Sequence, residues 1–455
     1  MKYQILIVAV LILLFTGCAG IEEEVEVNST AELKSSEDNE NILAKVFLYT
    51  EWVSVSSLWS MSYDDMRNTL IVEMNSKSNQ TISSLQAMDD EELAWGALMY
   101  NFLLNAGIET SSQLASMSFD DFRNTVISVN QQNTSYSVST LQGYENAKNL
   151  NIAYNWWFPA NSTTQNMIDS LNAISSSTYS FDLKDDQDQT MEVLRTVKAD
   201  ETYTYLGVYH VTVSTNYYKL YLAGSNDLVN WTYLCQLGDR AHQGYIVKWE
   251  SGYLLANEQD PVEGYNNVQI RYYSSYSDLV SNSPSYDLSI DRSFSSYAEG
   301  TPDIREVSGS SPASSYIIIG FHYYDTDDTG VDQQAIGILK NFSSWQAWTD
   351  DVSNYNIQEM GFDGNIGARA SFSYNGNYVL QEAQGTEDDW SSWRLLFGDG
   401  AFYYQLSPVT PKGSTSFANP GIAQIGTSTF AVTTYLPSEG NQDGEKGELV
   451  YQVQF

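Results

Sequence analysis

The chain has 455 residues, with 57 acidic residues against 21 basic ones and a formal net charge of −36. This surplus of negative charge excludes nucleic acid and an anionic membrane surface as electrostatic partners. The charge is spread along the chain, and the aromatic content is high, with 33 Tyr and 11 Trp. A sequence of this length predicts two or three domains with a large core.

The N-terminus contains one Lys, an apolar run from Ile5 to Phe15 and then small residues. The run is too short for a spanning helix and predicts a secretory signal over residues 1–17. Because the signal ends in FTGC, it resembles a bacterial lipobox, and we expect Cys18 to be lipidated and to anchor the protein to a membrane outside the cytoplasm. Ordinary cleavage near Ala19, with release of the protein, is the alternative.

Residues 18–44 are acidic, rich in Ser and Asn and free of aromatic residues. This composition is typical of a solvated tether between a lipid anchor and a folded domain. Once Cys18 is lipidated, Cys235 is the remaining cysteine, so we expect no intramolecular disulfide. Stability must then come from the core.

Residues 45–165 contain an internal repeat. Four segments align without gaps, at 57–74, 84–102, 113–131 and 140–158, and their leading leucines recur every 27 to 29 residues. Such a period predicts a stacked array, here a small all-α helical-repeat module with a spacer or docking role.

Local signals within the repeats support helices. Ser62 with Asp65 and Ser118 with Asp121 have the spacing of a capping box. In the first repeat the apolar positions at helical spacing are Met66, Leu70 and Met74. The Arg-Asn-Thr sequence of the first and third repeats is interpreted as a structural network between repeats, with a binding motif as the alternative.

Residues 180–455 change to a period of two, with Tyr, Val, Ile and Thr runs that are broken by Gly, Asn and Ser. A strand, a tight turn and a second strand occur five times, at 194–210, 245–258, 303–322, 371–382 and 422–435, and a third strand follows each copy. Five such units predict an all-β five-bladed β-propeller after the helical module. A two-sheet sandwich is the alternative, but it does not predict five copies of one motif.

Alignment of the second strands places polar residues at one relative position in all five copies. These residues are His210, Glu258, His322, Glu382 and Tyr435. Since equivalent positions of a propeller converge on its central channel, they predict a polar ring that binds substrate. The alternative is that strand ends are polar simply because they leave the core.

The entries to the first strands provide a second polar set. Its members are Asp239, Arg240, His242, Glu299, Asp303, Asp363, Asn365, Arg369 and Asn419. Hydrolysis of a glycosidic bond needs one carboxylic acid that protonates the leaving oxygen and one carboxylate that acts as base or nucleophile. Several carboxylates at blade entries would satisfy that need.

Three stretches resemble glycoside hydrolase family 43 and its relatives, which are five-bladed propellers acting on arabinose- and xylose-containing glycans. The stretches are SNDLVNW (225–231), AEGTPDIREV followed by SYIIIGFHYY, and DGNIGARASFSYNGNYVL (363–380). The resemblance covers about residues 188–455.

The resemblance implies roles for several carboxylates. Glu299 would be the general acid, and Asp303 or Asp239 would tune its pKa. Asp185, Asp186 and Asp188, in LKDDQDQT, lie near the place of the general base. The string around Glu299 can instead be aligned with the family's Ala-Pro-Asp-Ile element, which makes Asp303 the tuning residue.

Three functions remain open at the level of sequence. The first is a surface-anchored glycosidase, the second a non-catalytic carbohydrate-binding lipoprotein, and the third a scaffold or adhesin. No organic cofactor is expected. A central metal ion held by His210, His242 or His322 is a separate hypothesis.

Overall fold

The computed structural model describes residues 40–262, 265–326 and 329–455. The expected signal, the lipidation site at Cys18 and the expected tether up to residue 39 lie outside the described residues. Residues 40–44, the last part of that tether, are helical, and Leu43 is buried. Among the helices of the described ranges, none combines the length and the apolar character needed to cross a membrane.

The first part of the described chain is helical. Its helices are α1 (residues 40–50), α2 (Val55–Leu58), α3 (Tyr63–Lys77), α4 (Ile82–Gln86), α5 (Asp90–Asn105), α6 (Ser111–Leu114), α7 (Phe119–Asn133), α8 (Val138–Gln142), α9 (Asn146–Ala160) and α10 (Ser162–Asn172). Short helices thus alternate with long ones, as the repeat requires.

The predicted helix signals are present. Both capping boxes form, at Ser62 with Asp65 and at Ser118 with Asp121. The leading leucines of the four repeats are buried at the ends of the short helices, at Leu58, Leu85, Leu114 and Leu141. The repeat therefore encodes a short helix whose leucine fills the core and a long helix that packs on the next repeat.

The Arg-Asn-Thr sequences form a structural network, as interpreted. Arg67 donates to Asp90 Oδ1 at 2.7 Å and to the carbonyl of Met88 at 2.6 Å. Arg123 makes the equivalent contacts one repeat later, to Asn146 Oδ1 and to the carbonyl of Tyr144, both at 3.0 Å. Each arginine thus ties its own long helix to the start of the next one.

The rest of the chain forms five four-stranded antiparallel sheets. Their strands are β1 (Tyr179–Ser180), β2 (Glu192–Lys198), β3 (Tyr205–Ser214), β4 (Tyr217–Ser225), β5 (Trp231–Asp239), β6 (Ala241–Trp249), β7 (Gly252–Val262), β8 (Tyr265–Tyr273), β9 (Tyr286–Ser289), β10 (Glu299–Ser308), β11 (Tyr316–Tyr324), β12 (Asp332–Lys340), β13 (Ser344–Thr349), β14 (Arg369–Ser373), β15 (Asn377–Gln384), β16 (Trp393–Gly398), β17 (Tyr403–Gln405), β18 (Ala418–Gln424), β19 (Thr429–Leu436) and β20 (Gly447–Gln454). Two helices, α11 (Tyr276–Val280) and α12 (Asp351–Glu359), follow β8 and β13.

These sheets are the blades of a five-bladed propeller. Blades 1 to 4 take consecutive strands, and blade 5 has the order β1-β20-β19-β18. The first strand of each blade contacts the first strands of both neighbouring blades, in the order β2, β6, β10, β14, β18 and back to β2. The first strands are therefore innermost, and the second strands, which carry the predicted ring, lie one position further out. Strand β1 closes the circle by pairing with β20.

The helical part and the propeller share one hydrophobic core within residues 40–455. Tyr154 of α9 stacks on Phe402 of blade 4, with ring centroids 3.8 Å apart. Lys45 of α1 forms a buried ion pair with Asp350, with Nζ 2.8 Å from Oδ2. The helices are thus packed against the propeller rather than held away from it.

Candidate functional site

Four of the five innermost strands begin with a β-bulge, at β2, β6, β10 and β18. The first bulged residue has a left-handed backbone in each case, at Val193 (φ 55°), Gln243 (φ 50°), Thr301 (φ 48°) and Asn419 (φ 51°). Residues other than Gly rarely adopt this conformation. A bulge also takes the backbone N–H out of the strand ladder, so the N–H needs another acceptor.

In all four cases a side chain of the preceding blade accepts that N–H. The acceptors are His210 Nδ1 for Gln243 (3.4 Å), Glu258 Oε2 for Thr301 (3.0 Å), Glu382 Oε2 for Asn419 and Glu448 Oε2 for Val193 (2.9 Å). We call these four contacts the blade latches. They join each of these blades to the next one around the channel.

The latches account for three of the five polar residues at one position of the sequence repeat. Strand register pairs His210 with Glu192, Glu258 with His242 and Tyr435 with Ala418, in each case opposite the residue before the bulge. His322 stands opposite Gly300 in the same way, and the N–H of Glu382 binds the carbonyl of Ala368. His210, Glu258 and Glu382 therefore meet a structural need of a bulge, whereas His322 and Tyr435 occupy the same position without acting as latches.

The junction between blades 3 and 4 is different. Strand β14 pairs with β15 without a register shift, and Gln334 Nε2 joins the blades by donating to the carbonyls of Ile366 (2.5 Å) and Gly367 (2.6 Å). His322 is consequently not used as a latch. Its Nδ1 contacts the Thr301 hydroxyl of its own blade, and its Nε2 lies 3.9 Å from Asp332 Oδ1.

A continuous chain of ionisable groups connects blades 1 and 2. His210 Nε2 lies 3.6 Å from Glu192 Oε2, and the imidazole rings of His210 and His242 are 5.7 Å apart. His242 Nε2 is 3.3 Å from Glu258 Oε1 and 3.2 Å from Asp260 Oδ1. Together with His322 and Asp332 in blade 3, we call these side chains the channel cluster.

One part of the channel cluster has the geometry to hold a cation. One ligand atom from each of His242, Glu258 and Asp260 lies within 4.8 Å of the other two. One imidazole and two carboxylates form a mixed donor set that divalent cations accept. The three side chains therefore fit the metal hypothesis for His242, whereas His210 and His322 are not part of this group.

The environments of these groups shift their proton affinities in opposite directions. Burial raises the pKa of Glu382 to about 7 and that of Glu448 to about 8. Burial also raises the pKa of Asp332 and lowers that of His210 well below its usual value. Burial alone would lower the pKa of His242, but Glu258 and Asp260 raise it above the usual value.

Two carboxylates of the cluster remain partly open to solvent. The side chains of Glu192 and Asp332 are 22% and 25% exposed, compared with 4% for Glu258. The Thr212 hydroxyl donates to Glu192 at 2.6 Å. These two groups are therefore the ones that a ligand at the channel can reach.

Glu299, the expected proton donor, lies in a different setting. Its Oε1 accepts backbone N–H groups from Ser293 at 2.7 Å, Ser295 at 3.0 Å and Phe294. The residue is only 2% exposed. The structure thus places Glu299 as the anchor of the loop that leads into β10, so its role as an acid stays a prediction that the geometry does not support.

Two further predicted residues are buried between blades 3 and 4. Asp303 accepts the backbone N–H of Ser371 at 3.0 Å and its hydroxyl at 2.5 Å. Arg369 donates to Asp350 at 3.0 Å and to the carbonyl of Ala335 at 2.5 Å. Both join blades, and neither belongs to the channel cluster.

Three predicted aspartates are exposed and lie outside the channel cluster. Asp188 pairs with Lys184 at 3.2 Å and is 87% exposed at its side chain. Asp239 ends β5 and accepts the Tyr217 hydroxyl at 2.8 Å. Asp363 is also exposed. The structure does not bring any of them together with the histidines.

The remaining predicted residues lie next to the cluster. Asn365 Oδ1 accepts the N–H of Asp332 at 2.9 Å and so fixes the start of β12. The buried amide oxygen of Asn419 has no hydrogen-bond partner among the described residues, and neither does that of Gln243. Tyr435 is half-buried, and burial raises its pKa to about 12.

Sequence reasoning missed four members of the channel cluster and the blade latches. They are Glu192, Asp260, Asp332 and Glu448. The signal was present for two of them, because Glu192 precedes a repeat strand and Asp260 follows Glu258 by two residues and so shares its face. Asp332 and Glu448 begin third strands, which the alignment of first and second strands did not cover.

Comparisons with known proteins give structural likeness only. No protein-family model matches the chain, and no curated protein matches it. The similar solved structures include a thermostable family-43 glycoside hydrolase, with 9% identity and a TM-score of 0.36 over 57% of this chain and 88% of that one. A GH62 hydrolase in complex with xylotriose has 11% identity and a TM-score of 0.39 over 63% and 100% of the two chains.

A GH43 endo-arabinanase from Bacillus licheniformis gives similar values, with 11% identity and a TM-score of 0.35 over 59% of this chain and 95% of that one. Such low identities and scores carry no information about the activity of this chain. The five four-stranded sheets establish the five-bladed propeller independently of these comparisons.

Proposed function

We propose that the protein binds oligosaccharides at the channel cluster and hydrolyses a glycosidic bond there, with Asp332 as proton donor and Glu192 as base or nucleophile. The observation that carries the proposal is the partial exposure of these two carboxylates at the edge of an otherwise buried set of histidines and acids. Glycoside hydrolysis needs one protonated and one ionised carboxyl group.

The surroundings of Asp332 suit a proton donor. Burial, the largest effect, raises its pKa, and the charge of Glu258 raises it further, whereas the charge of His322 lowers it. His322 lies beside Asp332 and does not serve as the acceptor of a blade latch. A carboxyl group with a raised pKa stays protonated closer to neutral pH, which is the condition for general acid catalysis.

Glu192 is placed differently. Its carboxylate accepts the Thr212 hydroxyl and lies near His210, and both groups can donate to the ionised form. Arabinose- and xylose-containing glycans are the substrates that the sequence resemblance favours.

The test is sugar release from arabinan, arabinoxylan, xylan, galactan and fructan by the wild type, Glu192→Gln and Asp332→Asn. We expect each variant to lose about 100-fold or more in rate. Glu299→Gln is the matched control, because it removes one buried carboxylate outside the channel cluster. If Asp332→Asn keeps the wild-type rate and Glu299→Gln loses activity, Glu299 rather than Asp332 is the proton donor.

A second candidate is glycan binding without hydrolysis. It is favoured by the blade latches, because Glu258, Glu382 and Glu448 use their carboxylates to hold backbone N–H groups. If no polysaccharide of the panel is cleaved but one retards the protein in an affinity gel, this second function replaces the first.

We also propose that Cys18 carries a lipid that anchors the protein outside the cytoplasm. The support is the sequence around Cys18 alone. In a detergent phase-separation assay the wild type should enter the detergent phase and Cys18→Ser should stay in the aqueous phase. Equal partition of the two proteins would exclude the anchor.

A further inference from the structure

A cavity of about 620 Å³ lies between the helices and blades 3 and 4, away from the channel cluster. Its lining includes Asn101 of α5, Trp157 of α9, Arg305 of β10 and Tyr378 of β15. This volume is in the range of pockets that hold small molecules. Aromatic rings, amides and one guanidinium on its walls are the groups that recognise a polar ring compound.

Arg305 is the unusual member of this lining. Among the described residues its guanidinium has no ion pair and no hydrogen bond, although the protein carries 57 acidic residues. It also lines an adjoining cavity of about 250 Å³. A guanidinium has five N–H donors in a planar fork, and those of the half-buried Arg305 are available to a ligand in the cavity.

The two nearby carboxylates are already occupied. Asp350 accepts from Lys45 at 2.8 Å and from Arg369 at 3.0 Å. Asp303 accepts two bonds from Ser371. The charges of Asp303 and Asp350 raise the pKa of Arg305, but burial is the largest effect and lowers it. The acceptor that would complete the site is therefore not provided by these two side chains.

A third carboxylate in the same cavity is also occupied. Asp399 accepts the backbone N–H groups of Ala401 at 3.0 Å and Phe402 at 2.9 Å, and the Tyr49 hydroxyl at 2.7 Å. Tyr49 in turn contacts the Tyr154 hydroxyl. This network fixes one wall of the cavity. Glu51, the other carboxylate of the lining, is exposed and accepts from Asn377 Nδ2 at 3.5 Å, and it forms no ion pair with Arg305.

Other lining groups suit a hydroxylated ring. The Asn101 side chain makes no hydrogen bond to described residues, so its amide can both donate and accept. Trp157 and Tyr378 are half-buried and contribute aromatic surface to the lining. Gly400 leaves room for the guanidinium, since a Cβ at this position would lie 3.2 Å from Arg305 Nη2.

We propose that this cavity is a second binding site, separate from the channel cluster, for a small acidic sugar whose oxyanion pairs with Arg305. A carboxylate or a sulfate would accept two parallel N–H bonds from the guanidinium. The sugar hydroxyls would reach Asn101, and the ring would lie against the aromatic lining. The site does not depend on hydrolysis at the channel.

The test is calorimetric titration of the full-length protein in detergent with glucuronate, galactose 6-sulfate and neutral galactose. We expect at least one acidic sugar to bind more tightly than galactose, and the preferred one identifies the oxyanion. Arg305→Gln should weaken that binding at least about tenfold, and Arg305→Lys should weaken it less, because a charge remains without the fork. Asn101→Ala should weaken it as well.

Two controls separate this site from other effects. Arg394→Gln removes the same charge from a residue whose guanidinium binds only backbone carbonyls of the described residues, and it should bind like the wild type. Asp332→Asn at the channel should also bind the acidic sugar normally. If Arg305→Gln does not fold, Asn101→Ala decides. Three results would overturn the proposal. Galactose could bind as tightly as the acidic sugars, neither acidic sugar could bind with a Kd below about 1 mM, or the Arg305 variants could bind the acidic sugar as tightly as the wild type does.

Discussion

The backbone N–H of Val193, at the start of the first blade, donates to Glu448 Oε2 in the last blade at 2.9 Å. The two residues are 255 positions apart in the chain. Val193 is β-branched and has a φ of 55°, a conformation that its side chain disfavours. The contact therefore helps to hold a strained bulge at the place where the circle of blades closes.

This contact predicts a pH dependence of stability. Burial raises the pKa of Glu448 to about 8 in the folded protein, above its usual value of 4.5. A carboxyl group with a raised folded pKa stabilises the fold below its unfolded pKa, and that stability is lost as the pH rises to the folded pKa. We expect Glu448→Gln, which keeps an acceptor for Val193, to remove this loss.

The measurement is urea unfolding of the wild type and Glu448→Gln at about pH 5 and about pH 8. The free energy of unfolding of the wild type should fall relative to that of the variant by roughly 1–3 kcal/mol over this interval. Arg195 favours the ionised form and Glu192 opposes it, and neither changes in the variant. A constant difference between the two proteins at both pH values would show that Glu448 does not titrate in this range.

A second prediction concerns the loop that leads into β10. Glu299→Gln keeps an oxygen for the N–H groups of Ser293 and Ser295 and removes a charge that burial disfavours, since burial raises the pKa of Glu299, so we expect the stability to stay within about 1 kcal/mol of the wild type. Sugar release should stay within about threefold of the wild type, because the residue lies outside the channel cluster. Thermal unfolding and rates on the same sample check both parts. A large rate loss with unchanged stability would restore Glu299 as the acid.

A third prediction tests the cation hypothesis for His242, Glu258 and Asp260. A divalent cation competes with the proton that Glu258 and Asp260 favour on His242, so cation binding should strengthen as the pH rises. Calcium or zinc should therefore raise the Tm more at about pH 8 than at about pH 6. His242→Ala and Asp260→Asn should abolish the effect. Equal shifts in wild type and variants would place any bound cation elsewhere.

A fourth prediction compares equivalent arginines of two helical repeats. Arg67→Ala leaves the buried carboxylate of Asp90 without its ion pair, so the expected cost is roughly 3 kcal/mol. Arg123→Ala leaves the neutral amide of Asn146, and the expected cost is about 1 kcal/mol. Urea unfolding of both variants gives the comparison. A larger loss for Arg123→Ala would contradict the role given to the Asp90 charge.

The two kinds of repeat, and hence both halves of the fold, can be recognised from the amino-acid sequence. Periodicity and capping chemistry are local, so Ser62 with Asp65 and the leading leucines could be recognised without coordinates. The same alignment found His210, Glu258, His322 and Glu382 at one position. It did not reveal that three of these four hold backbone N–H groups of the next blade, because that contact depends on a bulge between distant strands.

Which carboxylates lie together depends on how distant strands pack in the folded protein. Asp332 and Glu192 join the histidines because five blades converge on one channel. Asp188, just before blade 1, and Asp239, at the end of β5 in blade 1, are exposed instead. The unpaired state of Arg305 is likewise invisible in the chain, since it depends on Asp303 and Asp350 being occupied by partners from other elements. Side chains that lie close in sequence pair in a way that their spacing predicts. The charge state of a site depends on burial and on charges from distant parts of the chain, which the spacing does not show.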